Sequence, residues 1–284
     1  MTLSPPRLSG FDLRLACTPG ITDVERLHRM RWHESALAAE ERAFRRSVDA
    51  GILRLFRSGP VGEHGVADMK WYYRNRLIGS VPGKNIIADI YALSPERCPF
   101  CQAGTPSTLE HMFPKALFPW LAVEPGNLAP ACKDCNLDRN EGNGHSSPNV
   151  YADTWISDHI WLTATSANSG DPAHLFFDID AGCGVTPTQA ELLRTHLNER
   201  KLRNRYRIRA KQSFSDLLSD IRESRRVRPM AGRILEDAVE DTLTSRLSAR
   251  TADHGKNYWE AAALRVWVAD FRSIDWEGLT PAVP

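Results

Sequence analysis

The chain has little of several things that usually decide a protein's class. Its 284 residues carry 36 Lys and Arg against 35 Asp and Glu, a formal net charge of +1. Nucleic-acid binding therefore cannot be inferred from the total, and any charge that faces DNA must be local. No window approaches the length of an apolar membrane span. The opening MTLSPPRLSGFDLRL has prolines and charges where a secretory leader needs an apolar run, so a cytoplasmic protein is expected. There is no internal repeat and no low-complexity tail. Cysteine is scarce as well, with six in all. Four of these fall into two CxxC pairs, which suits metal binding in a reducing compartment better than a disulfide framework. Cys17 and Cys183 are left over and read as buried or idle thiols. The remaining composition, 42% hydrophobic and 25% charged, is that of an ordinary globular protein.

What is present concentrates between Cys98 and Asn140. The stretch reads CPFC, then TLEHMFPK, then GNLAPACKDCNLDRN. Each CxxC turns two thiolates toward one point, and four thiolates close the tetrahedral shell of a structural zinc site. The thirty residues from Gln102 to Ala131 exceed the gap of a simple zinc ribbon. Something else is built inside the gap, and the candidates are Glu110, His111 and Asn127, with Asn136 directly after Cys135.

These residues resemble an HNH endonuclease motif of the ββα-metal kind (the His-Me finger), in its zinc-stapled form. Glu110-His111 matches the acid or His followed by His at the end of the first strand. Asn127-Leu128 matches the opening of the second strand, and Cys132-Lys-Asp-Cys135-Asn136 the start of the helix. The matching stretch covers about one sixth of the chain. The resemblance implies a metal-dependent DNA endonuclease. His111 is then the general base, since a neutral imidazole with a pKa near ~6.5 can take a proton from water. Glu110 and Asn136 would hold a catalytic Mg2+ or Mn2+, Asn127 would orient the loop between the strands, and Cys98, Cys101, Cys132 and Cys135 would hold Zn2+. Asn140, four residues after Asn136, is an additional candidate ligand. Lys115 can touch phosphate or be solvated, and His145 reads as a loop residue. Two rivals stand beside the nuclease: a non-enzymatic zinc-stapled module binding DNA or protein, and a nuclease acting on RNA.

Around this core, of about residues 92–147, the sequence predicts a mainly α protein with a small α+β centre. An N-terminal helical region (1–91) and a mainly helical C-terminal region (148–284) flank it. This layout is similar to nuclease subunits of bacterial anti-phage systems, which implies a DNA substrate and a protein partner in a defence complex.

Residues before Thr22 read as an extended lead-in. Helical spacing runs from Asp23 to about Phe56, with a break at Gly51, and again from Val66 to Ile78, ended by Pro82-Gly83. The run Trp71–Arg76 can stack on nucleic acid or supply the buried aromatic face of a helix. A short helix follows over Asn85–Leu93. Val150–Leu162, with Trp155 and Trp161, reads as a hydrophobic rim, and His174–Asp180 as a strand. A helix opens at Thr186-Pro187. Arg200, Arg203, Arg207 and Lys211 fall on one helical stripe, which is either a phosphate track or a solvated face. Leu235–Leu247 and Tyr258–Phe271 read as two amphipathic helices, the second with Trp259, Leu264, Trp267 and Phe271 inward.

Overall fold

A computed structural model of the chain describes residues 2–137, 147–167, 171–180 and 182–281. Asn140 and His145 lie outside the described residues. Among the described residues the chain is mostly helical, with two small two-stranded antiparallel sheets. It divides into two compact units, Thr2–Thr154 and Trp155–Pro284. The first unit contains both the N-terminal helices and the double-CxxC stretch. Among the described residues no helix is long and apolar enough to cross a membrane.

The first unit begins with α1 (Gly10–Cys17), where an extended lead-in was expected. A capping box sets this start: Ser9 accepts from the Asp12 amide, and the Asp12 carboxylate accepts in return from the Ser9 amide. Helix α2 (Val24–Asp49) is capped by Asp23 and buries Met30, Leu37 and Phe44. The chain then leaves the helix through Gly51, at φ +67°, a left-handed conformation that glycine adopts without strain. Ile52 and Leu55, expected to extend the apolar face, stand exposed beyond that break.

Helix α3 (Glu63–Tyr72) widens into a π-helical turn over Tyr73–Ile78. Pro82-Gly83 does not end this segment; it starts the next one. Ser80 caps α4 (Val81–Ala92), and Pro82 sits in the first turn, where its missing N–H has no intrahelical partner to lose. A Cβ on Gly83 would come within 2.1 Å of the Leu77 carbonyl oxygen, so the close seating of α4 on the π turn requires glycine.

Between α2 and α3 a buried carboxylate meets two partly exposed arginines. Asp68, on α3, accepts from Arg29 at 2.8 and 3.0 Å and from Arg26 at 3.4 Å. Burial alone would raise its carboxyl, but the hydrogen bonds and charges of Arg29 and Arg26 hold it below the usual carboxylate range.

Two four-residue strands follow, β1 (Thr108–His111) and β2 (Leu128–Ala131). They run antiparallel with Glu110 opposite Ala129 and His111 opposite Leu128. Helix α5 (Lys133–Leu137) packs against β1.

In the second unit β3 (Leu162–Ser166) pairs with β4 (Leu175–Ile179). The alternation of buried Leu175, Phe177 and Ile179 with exposed neighbours is the expected strand pattern. β3 begins at Leu162, the last residue of the stretch read as a hydrophobic rim. Helices α6 (Pro187–Glu199) and α7 (Leu202–Val227) are separated by Lys201, which is left-handed at φ +50°. The supposed basic stripe therefore does not hold together. Arg200 caps α6 and is fully buried, and Arg203 pairs with Asp178 at 2.7 Å. Helices α8 (Gly232–His254), α9 (Trp259–Ala269) and α10 (Trp276–Leu279) complete the unit. Trp259, Leu264, Trp267 and Phe271 are all buried.

Candidate metal centre and the histidine beside it

The two CxxC turns meet in space. The sulfurs of Cys98, Cys101, Cys132 and Cys135 lie within 4.8 Å of one another, and all four residues are buried. The first turn is a knuckle. The Gln102 amide donates back to the Cys98 carbonyl at 2.7 Å, Gln102 itself is left-handed at φ +53°, and the Gly104 amide donates to the Cys101 sulfur at 3.4 Å. The second turn is the start of α5, where the Asn136 amide donates to the Cys132 carbonyl at 3.1 Å.

Amides aimed at sulfur and a closed, buried thiol set are what a structural zinc ion uses, so this cluster could bind zinc. Four thiols this crowded do not ionise alike. Hydrogen bonding among them, with Cys101 foremost, pulls the Cys132 thiol down and pushes the Cys135 thiol up.

Glu110 and His111 close strand β1, and both are buried. The His111 Nε2 lies 2.9 Å from the carbonyl oxygen of Ala122. A carbonyl only accepts, so Nε2 carries the proton in the neutral ring and Nδ1 carries the lone pair.

The loop that brings Ala122 to this place is pinned from within. Asn127 is fully buried and spends its whole amide on that loop. Its Oδ1 accepts from the Phe113 amide at 2.7 Å, and its Nδ2 donates to the carbonyls of Phe113 and Leu121, each at 3.0 Å. The same loop is pinned from outside by Glu124, which accepts from the Gly10 amide at 3.0 Å and from Arg45 at 3.3 Å. Burial and the neighbouring Glu41 raise the Glu124 carboxyl.

One contact had no signal in the sequence. The Tyr73 ring packs on the His111 ring, with centroids 4.7 Å apart and planes tilted by 59°. Lys115 stands over the same tyrosine ring at 5.1 Å, so its ammonium rests on an aromatic face. Burial, then Tyr91 and Glu110, push the Tyr73 hydroxyl up to about 12, and it stays neutral at cellular pH. Tyr73 opens the π-helical turn, and such turns recur at functional sites. The rest of the Trp71–Arg76 run is partly spoken for: Tyr72 is buried, Arg26 lies over Trp71, and Arg76 donates to the Cys17 and Pro19 carbonyls.

Asn136 is half-buried on α5. Among the described residues the four cysteines are the cluster of three or more metal-ligating His, Cys, Asp or Glu side chains, and Glu110 is not part of another.

No family model and no solved structure matches the chain. Among curated proteins it is similar to Protein ea31 of Escherichia phage lambda, at 26% identity over 158 residues. The match spans about half of each chain, 53% of both.

Proposed function

We propose that the chain is a metal-dependent endonuclease that hydrolyses DNA phosphodiester bonds at His111. The observation that carries this reading is the bond from His111 Nε2 to the Ala122 carbonyl. It selects the tautomer whose Nδ1 can accept a proton, and it does so in a loop fixed by Asn127. A general base needs this preset orientation, because misaimed lone pairs lose most of their effect.

Glu110, beside His111 in the sequence, and Asn136, on the helix that packs against β1, fit a hard divalent ion in part. Glu110 and Asn136 offer the oxygen atoms that Mg2+ or Mn2+ prefers, and such ions commonly take only one or two protein carboxylates. Bound there, the ion would supply charge stabilisation to the phosphate. His111 would receive the proton of the attacking water at Nδ1, Tyr73 would hold the imidazole plane, and the zinc-stapled turns would fix α5 against β1. The similarity of the Glu110-His111, Asn127-Leu128 and CxxC-Asn136 elements to HNH nucleases supports the same assignment.

The experiment is cleavage of supercoiled plasmid by the purified chain with Mg2+ or Mn2+, alongside His111→Ala and a structured RNA. Cutting of the plasmid, lost in His111→Ala with zinc content unchanged, is the expected result. Equal cutting by His111→Ala refutes the assignment. Full zinc content with no cleavage of either nucleic acid would leave a zinc-stapled binding module, and preferential RNA cleavage would change the substrate.

A further inference from the structure

Between its ends, where Glu25 and Asp49 are exposed, helix α2 buries Glu40 and Glu41 and carries exposed arginines. Glu34 and Glu41 are engaged by Arg14, and Glu40 accepts the Gly59 amide. From His28 to Arg46 the exposed positions include Arg31, Trp32, Arg42, Arg45 and Arg46 and no carboxylate. Arg45 is committed to Glu124. Arg31, Arg42 and Arg46 make no ion pair among the described residues. Steps of eleven and four residues keep these three on one stripe, which runs roughly 22 Å along the helix at about 1.5 Å per residue. A cationic stripe of that length without interleaved acids complements a polyanion.

Beside the stripe stands Trp32, 84% exposed, at the edge of an open groove of about 530 Å³. His33, Glu63, His64, Gly65 and Trp120 line the groove, with Glu63 its one carboxylate. A Cβ on Gly65 would come within 2.8 Å of the Trp120 ring, so glycine lets α3 sit against that tryptophan. Trp120 lies two residues before Ala122, the carbonyl that orients His111. The groove therefore borders the loop that presents the candidate base.

We propose that this face of α2 binds unpaired DNA, with phosphates on Arg31, Arg42 and Arg46 and a splayed base stacked on Trp32. The proposal rests on the nuclease reading for its choice of DNA. The exposed indole selects an unpaired strand, because a base stacked inside a duplex has no face to offer it. An anionic membrane fits less well. A helix lying in a bilayer surface needs a broad apolar face, and here Trp32 is flanked by Ser35, Ala36 and Ala39.

The test uses the full chain carrying His111→Ala, so that binding is read without cutting. A labelled oligothymidine strand, a matched duplex and phosphatidylserine vesicles are titrated over a range of salt. Reversal of Arg31, Arg42 and Arg46 to Glu should weaken oligothymidine binding. It should also flatten the plot of log affinity against log salt by about 2 units, at roughly 0.7 per contact. Trp32→Ala should weaken the single strand by roughly 5- to 150-fold and barely change the salt slope, while Trp32→Phe restores most of the loss. The duplex should be less sensitive to Trp32. All these positions are exposed, so unchanged melting temperatures are expected and are checked first.

Wild-type affinity and slope in both sets of variants would overturn the proposal. So would loss of vesicle binding alone, which would assign the face to lipid. If the α2 variants lose DNA binding but the unmodified chain never cuts, the proposal stands and the nuclease reading falls. If the chain cuts DNA and the α2 variants bind and cut as well as wild type, the proposal falls and the reading stands.

Discussion

Tyr73 and His111 come from different parts of the chain, a π-helical turn and the end of a strand, yet their rings lie 4.7 Å apart. The imidazole is thus held on two sides, by a carbonyl at its edge and an aromatic ring against its plane. Tyr73→Phe keeps the ring and should retain activity within about threefold. Tyr73→Ala removes the wall and should lower kcat by roughly 10- to 100-fold with KM little changed, since small misplacements of a catalytic group have effects of this order. Steady-state cleavage kinetics for the two variants decide it. Equal loss in both would place the hydroxyl, not the ring, at the centre of the effect.

The four sulfurs give a second prediction. About one zinc per chain should be held by Cys98, Cys101, Cys132 and Cys135. Cys132→Ser should lose it together with the folded state of the hairpin, because the energy of binding a structural metal is part of the energy of folding. Metal analysis and thermal melting of the variant provide the check. Full zinc content with unchanged melting would exclude the cluster as the metal site.

Glu110 and Asn136 should behave differently from His111. If they hold the catalytic ion, the residual activity of Glu110→Ala and Asn136→Ala rises with added Mg2+ or Mn2+. His111→Ala loses a general base, worth about two to four orders of magnitude, and added metal does not restore it. The double variant His111→Ala/Glu110→Ala should cost little beyond the worse single change, because groups that act as a unit are not additive. A metal titration of plasmid cleavage separates these cases. A metal response in His111→Ala would make it a ligand.

Asn127 makes a prediction about stability. Its side chain satisfies one amide and two carbonyls in the buried loop. Asn127→Ala leaves all three without that partner, at about 1–3 kcal/mol each. The variant should unfold well below wild type in a urea melt. Wild-type stability would mean that water replaces the amide.

Asp68 carries the pH prediction. Its folded carboxyl is held below the ordinary value by Arg29 and Arg26 against the opposing effect of burial. A lowered folded pKa contributes stability that is present above the unfolded pKa of roughly 3.9, and that is lost as pH falls through the folded pKa. Asp68→Asn should therefore melt lower than wild type at pH 7, and the gap should close as pH falls through the folded pKa, below the ordinary carboxylate value. Melting curves across that range test the sign, and a gap that widens in acid would refute it.

The parts of this architecture that could be read from sequence are those whose partners are close in the chain. Two cysteines three positions apart pinch one point whatever surrounds them, and Asp23 and Thr186 announce helices through the residues immediately following. The same logic should have found α1, since Ser9 and Asp12 have the spacing of a capping box. It could not find Tyr73 against His111, because the contact joins residues separated by a long stretch of chain and depends on how α3 ends. Nor could it find the burial of Arg200. Helical periodicity assumes an unbroken helix, and a single left-handed residue at Lys201 rotates everything before it off the stripe. β3 failed for a related reason: a five-residue strand is recognisable mainly by the strand it pairs with.

The pinning of Glu124 bears on how such a unit can be exchanged between proteins. The loop that presents the Ala122 carbonyl depends on an amide at the start of α1 and a guanidinium on α2. Hairpin and cysteines transplanted alone into another scaffold would carry a buried carboxylate away from both of its distant donors. The histidine would then lose its orientation although every residue of the recognisable motif had been kept. A working graft must bring Gly10 and Arg45, or substitutes for them, so the heritable module is larger than its signature.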